Sequence, residues 1–161
     1  MTRGVYALII HNEKKQYLKI GKLGTYLFLK GYYVYVGSAL GKTATNLENR
    51  LNRHLSLTKK LFWHIDFLLN ANYIKIVAII YANTTEKLEC HLASVISQLK
   101  GAEILVPGFG ASDCTGKCGA HLFYFMIEKD SLINLIKTAF SEINLNPISK
   151  KINSAHNELI H

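Results

Sequence analysis

Residues 31–55, GYYVYVGSALGKTATNLENRLNRHL, combine aromatic side chains with a cation and an imidazole. Arg50 and His54 are four residues apart, so in a helix they share one face. An arginine offers a permanently charged planar fork that suits phosphate oxygens. A histidine can take up or release a proton near neutral pH. These residue types fit phosphodiester hydrolysis, which needs an activated water and a stabiliser of negative charge.

The segment that carries these side chains changes its hydrophobic period at two glycines. Residues 31–37 alternate between two faces, with Tyr33 and Tyr35 on one of them, which predicts a strand. Farther on, the apolar residues recur every four positions and predict an amphipathic helix. Burial of that apolar stripe would hold the arginine and the histidine beside the strand, at the edge of the core. The stripe consists of Leu47, Leu51 and Leu55.

The rest of the chain reads as a mixture of short strands and helices. We predict an α/β fold of the α+β type, with a small, mostly antiparallel sheet flanked by helices. A single domain is expected over 1–143, followed by a polar tail over 144–161. Strands are predicted at 4–10, 16–20, 25–29, 31–37, 73–81 and 121–127. Further helices are predicted within 59–70, from a capping box at 83–86 to Gly101, and after a capping Asp130.

Composition favours a polyanionic partner and argues against a membrane protein. The net charge is +8, from 19 basic and 11 acidic side chains, which suits nucleic acid. Apolar runs fall short of the length that spans a bilayer, and the short apolar run near the start does not resemble a signal peptide. Three cysteines give no disulfide framework. We therefore expect a cytoplasmic protein in a reducing compartment.

The order of several motifs resembles the GIY-YIG nuclease superfamily. Gly4-Val5-Tyr6 is followed by Tyr35-Val36-Gly37, then by Arg50 within RLNRH and by Glu89 within ECHLA. The blocks GYYVYVGSA, WHIDFLL, GFGASDC and HLFYF resemble a little-characterised branch, found as stand-alone proteins and fused to a DNA-repair glycosylase. The resemblance covers roughly residues 4–126. The strands at 16–20 and 25–29 then look like a hairpin inserted between the two motif strands.

The resemblance implies a set of catalytic residues and a metal. It assigns catalysis to Tyr6, Tyr35, Arg50, His54 and Glu89. Tyr6 and Tyr35 would lie on adjacent strands and face one water, and a nearby arginine and metal would favour an ionised phenol that acts as general base. A single carboxylate, Glu89, would hold one Mg²⁺ or Mn²⁺, with waters completing the shell.

The choice between two glutamates follows from their surroundings. Glu86 is already accounted for as the third residue of the predicted capping box. Glu89 flanks the apolar stripe of the same helix, and the superfamily pattern of an acidic residue with a leucine three positions later fits Glu89 and Leu92. We therefore expect Glu89, and not Glu86, to be the metal ligand.

Other polar residues are assigned to substrate binding or left open. Basic side chains flanking the proposed site, with Tyr32 and Trp63 as stacking aromatics, are expected to contact nucleic acid. These basic residues are Lys42, Arg53, Lys59 and Lys60. A second set has two open interpretations, branch-specific site residues or loop-stabilising hydrogen bonds. It contains His64, Asp66, Ser112, Asp113 and His121.

The cysteines raise the question of zinc. The possible zinc ligands are Cys114, Cys118 and His121, with Cys90 or His91 elsewhere in the chain. The spacing C-x3-C-x2-H is not among the common structural zinc patterns. We therefore expect no tightly bound structural zinc.

Two functions follow from these observations. The first is a metal-dependent endonuclease that cuts DNA, with RNA left open as a substrate, in DNA repair or processing. The second is a nucleic-acid-binding module that keeps the fold but cuts poorly or not at all. Ser38 favours the second, because a repair-nuclease relative carries lysine after the second motif. A metal-dependent nicking assay separates the two.

Overall fold

The computed structural model describes residues 2–43, 45–112 and 118–153. Strands and helices are interleaved along the chain. The strands are β1 (Gly4–Asn12), β2 (Gln16–Ile20), β3 (Gly24–Phe28), β4 (Gly31–Ala39), β5 (Ile74–Asn83), β6 (Leu122–Phe125) and β7 (Ile148–Lys151). The helices are α1 (Leu47–Leu55), α2 (His64–Leu69), α3 (Glu89–Ser97) and α4 (Lys129–Glu142).

Five strands form one antiparallel sheet in the order β6-β4-β1-β5-β7. This sheet and its flanking helices confirm the predicted fold class. The two strands of the tyrosine motifs lie side by side, and their register places Tyr6 opposite Gly37. β2 and β3 pair with each other in a separate two-stranded sheet. The predicted hairpin between the two motif strands is therefore confirmed.

The alternation along β1 and β4 divides the core into two layers. Val5 and Val36 face a layer covered by α3 and α4, whereas Tyr6 and Tyr33 face a layer covered by α1, α2 and the β2–β3 hairpin. Burial of apolar side chains in both layers is the main force that holds the sheet between them. The side of the sheet that carries Tyr6 is the one against which α1 packs its leucines, as the sequence predicts.

Two helix starts differ from the prediction. β5 continues to Asn83, and the Glu86 N–H donates to Thr84 Oγ1 at 3.1 Å within a local turn. The predicted capping box is therefore wrong, because its threonine bonds to the turn and α3 begins only at Glu89. Asp130 does not cap α4 either: the capping position is Glu128, and Asp130 lies in the first turn.

The sheet extends beyond the predicted domain boundary at residue 143. Leu145 is buried against the core, and residues 148–151, expected in a polar tail, instead pair with β5 as an edge strand. Lys151 in this strand forms a 3.1 Å ion pair with Asp130. In the part of the chain that the structure describes, no helix combines the length and apolarity needed to cross a bilayer.

Candidate active site

An open cleft of about 540 Å³ brings together three of the predicted catalytic side chains. Tyr35 comes from β4, Arg50 from α1 and Glu89 from the start of α3. Because α1 and α3 pack on opposite faces of the sheet, the cleft combines residues from both layers. The remaining residues that line it are Phe62, Trp63, His64, Gly110 and Ser112.

The other two predicted catalytic residues form a buried pair beside this cleft. Tyr6 and His54 are 1% and 2% exposed, and the Tyr6 hydroxyl lies 2.6 Å from His54 Nε2. Burial lowers the pKa of His54 to about 3, and the charge of Lys59 acts in the same direction. The imidazole is therefore neutral at physiological pH. Its Nδ1 is buried and has no hydrogen-bond partner among the described residues.

Both phenols are held in their protonated form. Burial raises the pKa of Tyr6 and of Tyr35 well above the ordinary value, and the charge of Glu89 acts in the same direction. Arg50 lowers both pKa values, as expected from the sequence, but burial outweighs it. The two rings are near neighbours, with centroids 6.5 Å apart. The chain by itself therefore does not favour an ionised tyrosine.

Arg50 is positioned by an aromatic ring and one backbone carbonyl. Its guanidinium carbon lies 4.4 Å from the centroid of the Trp63 ring, and Nη1 donates to the Ser38 carbonyl at 3.4 Å. A cation–π contact of this kind orients the guanidinium. Arg50 also interacts with the Tyr6 hydroxyl, and its remaining N–H groups can bind an anion in the cleft. Trp63 was predicted only as a stacking surface, and its role in holding Arg50 emerges from the fold.

Glu89 fits the part of a divalent-cation ligand. Its side chain is 31% exposed and lines the cleft, so it combines a charge with access for water. Mg²⁺ typically uses one or two carboxylates and keeps several waters. Glu86, in contrast, is exposed in the turn before α3 and does not line this cleft. The structure thus places the glutamate chosen from the sequence in the cleft, together with Tyr35 and Arg50.

His64 and Ser112 belong to the cleft, and His121 lies behind it. The Gly110 N–H donates to His64 Nδ1 at 2.9 Å, so the neutral ring carries its proton on Nε2. Burial lowers the pKa of His64, which favours this neutral form. His121 is 1% exposed, and its Nδ1 lies 3.4 Å from Glu89 Oε2. Asp113 lies outside the described residues.

Asp66 has a structural role, and it binds the guanidinium of Arg53. The two oxygens of Asp66 accept hydrogen bonds from Arg53 Nη1 and Nη2 at 2.7 and 2.9 Å. Asp66 also accepts the backbone N–H groups of Phe62 and Trp63, at the start of α2. Burial would raise the pKa of Asp66, yet these hydrogen bonds hold it below its ordinary value. Asp66 therefore fits the loop-stabilising interpretation.

The predicted phosphate-binding cations differ in how far they are already engaged. Lys59 Nζ donates to three backbone carbonyls at the end of α1. They are those of Arg53, His54 and Ser56, at 3.3, 2.7 and 2.9 Å. This arrangement satisfies carbonyls that a helix end leaves unpaired. Lys42 and Lys60 have exposed side chains. Of these lysines, only Lys59 is described with its ammonium group inside a set of backbone acceptors.

The fold also brings together sulfur and imidazole ligands. The Sγ atoms of Cys90 and Cys118 and a ring nitrogen of His121 all lie within 4.8 Å of one another. His91, on the same helix as Cys90, is exposed and is not part of this group. Cys114 lies outside the described residues.

Comparison with known proteins gives one result. A family model described as "Domain of unknown function DUF123" matches residues 5–145, which include Tyr6, the Tyr35-Val36-Gly37 motif and every residue that lines the cleft. No curated protein and no solved structure matches the chain.

Proposed function

The chain belongs to the DUF123 family, a domain of unknown function, and we propose that it is a metal-dependent endonuclease that hydrolyses phosphodiester bonds in DNA. The proposal includes the finer assignment to a GIY-YIG-like nuclease, which rests on the resemblance of the motifs. The observation that carries it is the convergence of Tyr35, Arg50 and Glu89 on one open cleft. These residues come from three elements that are far apart in the sequence.

The division of labour follows from charge and burial. Arg50 stabilises the negative charge that develops on the phosphoryl oxygens, because its guanidinium is permanently charged and held at the cleft by Trp63. The protonated Nε2 of His64 donates a hydrogen bond to a second phosphate oxygen. Tyr35 orients the attacking water through its hydroxyl and takes its proton when the phenol is ionised.

Tyr6 and His54 both pack against the ring of Tyr35. The Tyr35 ring is tilted towards both, with centroids 6.5 Å from Tyr6 and 6.1 Å from His54. The buried Tyr6–His54 hydrogen bond fixes these rings and excludes water from one side of Tyr35. We assign this pair a positioning role.

Glu89 is the residue that would hold Mg²⁺ or Mn²⁺. A bound ion there supplies positive charge to the reacting phosphate and its leaving oxygen, and it lowers the pKa of a neighbouring phenol.

A second candidate function is a nucleic-acid-binding module that does not cut efficiently. The observation that favours it is the raised pKa of both Tyr6 and Tyr35, which leaves little phenolate at neutral pH. The open cleft and the net charge of +8 would then serve binding alone.

Nicking of supercoiled plasmid in Mg²⁺ or Mn²⁺ tests the first function. We expect Glu89→Gln to lower the rate by at least about a thousandfold with little change in DNA affinity, because it removes the charge and keeps the side-chain volume. Arg50→Ala is expected to abolish cutting and also to weaken binding, since it deletes a phosphate contact. Single-stranded and branched DNA extend the assay to other substrate shapes.

Glu86→Gln is the matched control, because Glu86 is an exposed glutamate three residues from Glu89. It should cut at the wild-type rate. If the wild-type protein binds all three substrates but cuts none with either metal, the binding module is the correct function. If Glu86→Gln eliminates cutting and Glu89→Gln does not, the assignment of the metal ligand is wrong.

A further inference from the structure

We propose that Cys90, Cys118 and His121 form a second metal site, which binds a thiophilic divalent ion of the zinc class behind the cleft. This site does not rest on the proposed nuclease function. It departs from the expectation that the C-x3-C-x2-H spacing excludes structural zinc, because Cys90 comes from α3, 28 residues before Cys118. A pattern search along one segment does not find such a site.

The distances between the ligand atoms are close to those of a metal site. Cys90 Sγ lies 3.9 Å from His121 Nε2, and all three ligand atoms lie within 4.8 Å of one another. Metal–ligand lengths of about 2.1–2.3 Å at tetrahedral angles separate neighbouring ligands by about 3.6–3.8 Å. The three side chains therefore need to close by no more than roughly 1 Å to share one ion.

The orientation of His121 is the second, independent observation. Its Nε2 faces the Cys90 sulfur, while Nδ1 lies 3.4 Å from Glu89 Oε2. Histidines that bind metals commonly direct their other ring nitrogen to a carboxylate, which fixes the tautomer and the ring orientation. The imidazole of His121 lies between a thiol and a carboxylate, and its buried Nδ1 has no hydrogen-bond partner among the described residues, so the carboxylate is placed to accept one once an ion fixes the ring. Two thiolates with one imidazole suit zinc better than the harder Mg²⁺.

The surroundings leave space for a fourth ligand. A cavity of about 180 Å³ is lined by Cys90, Cys118 and Ser94, among others. Among the described residues three side chains offer ligands, and the cavity has room for a water or an added group as the fourth. Because Glu89 and Cys90 are consecutive residues, an ion here would also connect α3 to the segment before β6 and fix the position of the Glu89 carboxylate.

Zinc content and cobalt absorption test the site. Protein purified under reducing conditions and freed of loosely bound metal should retain one Zn²⁺ per chain. Replacement by Co²⁺ should give a near-ultraviolet thiolate charge-transfer band and the intense visible bands of a tetrahedral site. Cys90→Ser and Cys118→Ser should each lose the zinc, and their folding is checked by circular dichroism. Glu89→Gln should weaken Zn²⁺ binding about 10–100-fold through His121.

His91→Ala is the control, since His91 is an exposed histidine beside Cys90, and it should keep both the zinc and the cobalt spectrum. If a serine variant fails to fold, the cobalt spectrum of the wild-type protein decides. The proposal is overturned if that spectrum lacks the thiolate band. It is also overturned if both serine variants keep the zinc. None of these readouts requires DNA cleavage, so the two proposals can fail separately.

Discussion

Gly37 faces Tyr6 across the β1–β4 pair, and its missing side chain is what gives the phenol its place. A Cβ built on Gly37 would lie 2.5 Å from Tyr6 Cζ and slightly closer still to the Tyr6 hydroxyl oxygen. The ring occupies this space while its hydroxyl reaches His54. The last residue of the Tyr35-Val36-Gly37 motif is therefore explained by contact with the last residue of Gly4-Val5-Tyr6.

Gly37→Ala should displace Tyr6 and break its hydrogen bond to His54. We expect a loss of about 1–3 kcal/mol in the free energy of unfolding, because added volume in a packed core forces side chains to shift. DNA cleavage should fall as well, since Tyr35 loses its support. Gly119→Ala is the control, because among the described residues a Cβ there meets only Ile104 Cδ1, at an ordinary 3.5 Å. Equal denaturation midpoints and rates in both variants would contradict this role of Gly37.

The rate of cleavage should depend on pH as expected for a tyrosine base. Burial raises the pKa of Tyr35 above its ordinary value of 10.0, whereas an ion held by Glu89 would lower it. At any pH below the resulting pKa, the phenolate fraction increases about tenfold per pH unit. The logarithm of the rate should therefore rise with a slope of about 1 between pH 6 and 9. His54, with a pKa of about 3, contributes no step in this range. Tyr35→Phe should lower the rate by about 10²–10⁴ and remove this pH dependence. A Tyr35→Phe variant that keeps the wild-type rate and pH profile would point to a histidine base instead.

His54 should make the fold sensitive to acid. Its pKa is about 3 in the folded protein against 6.5 for an ordinary histidine, so below pH 6.5 the unfolded chain binds a proton that the folded chain does not. The stability that His54 contributes is thus fully present above pH 6.5 and falls as pH decreases towards 3. By pH 4.5 the loss should be about 3 kcal/mol. The measurement is urea denaturation at several pH values, compared with His54→Gln.

In the glutamine variant, the loss of the Tyr6 contact lowers stability by the same amount at every pH. The contribution of His54 is therefore the difference in slope between the two stability curves. Parallel curves from pH 7 to 4.5 would show that the imidazole is protonated as easily in the folded state as in the unfolded one.

Lys59 and Lys60 should separate folding from DNA binding. Lys60→Ala should reduce the slope of log K against log salt by about 1, because an exposed lysine that contacts a phosphate displaces one counterion. Lys59→Ala should leave that slope unchanged and instead cost about 1–2 kcal/mol of stability, since its ammonium group binds carbonyls at the end of α1. Salt titrations of DNA affinity and thermal denaturation measure the two effects. The reverse pattern would mean that Lys59 leaves α1 to bind DNA.

The sequence predicted those parts of the fold that depend on local alternation. The two faces of β1 and β4, the leucine stripe of α1 and the separate hairpin follow from side-chain period and turn residues. The start of α3 was missed because Thr84 has two local options, a helix cap or a turn, and only the path of β5 decides between them. The edge strand β7 was missed because its residues, ISKK, are mostly polar and exposed.

The candidate site shows the same contrast between what local patterns predict and what long-range packing decides. The motif spacing led to Tyr35, Arg50 and Glu89, which meet in the cleft. It did not distinguish a cation that is available to a ligand from one already engaged in the fold. Arg53 is engaged because Asp66 lies 13 residues away along the chain but 2.7 Å away in space. The group of Cys90, Cys118 and His121 likewise depends on long-range packing, which local patterns do not contain.

Trp63 gives the protein a built-in optical probe. It is the chain's one tryptophan, and the guanidinium carbons of Arg50 and Arg53 each lie 4.4 Å from the centroid of its ring. Any ligand that draws Arg50 away from the indole changes the electric field at the sole strong fluorophore. Intrinsic emission therefore reports occupancy of the cleft without a label, and stopped-flow recording can time the movement of Arg50 separately from bond breakage.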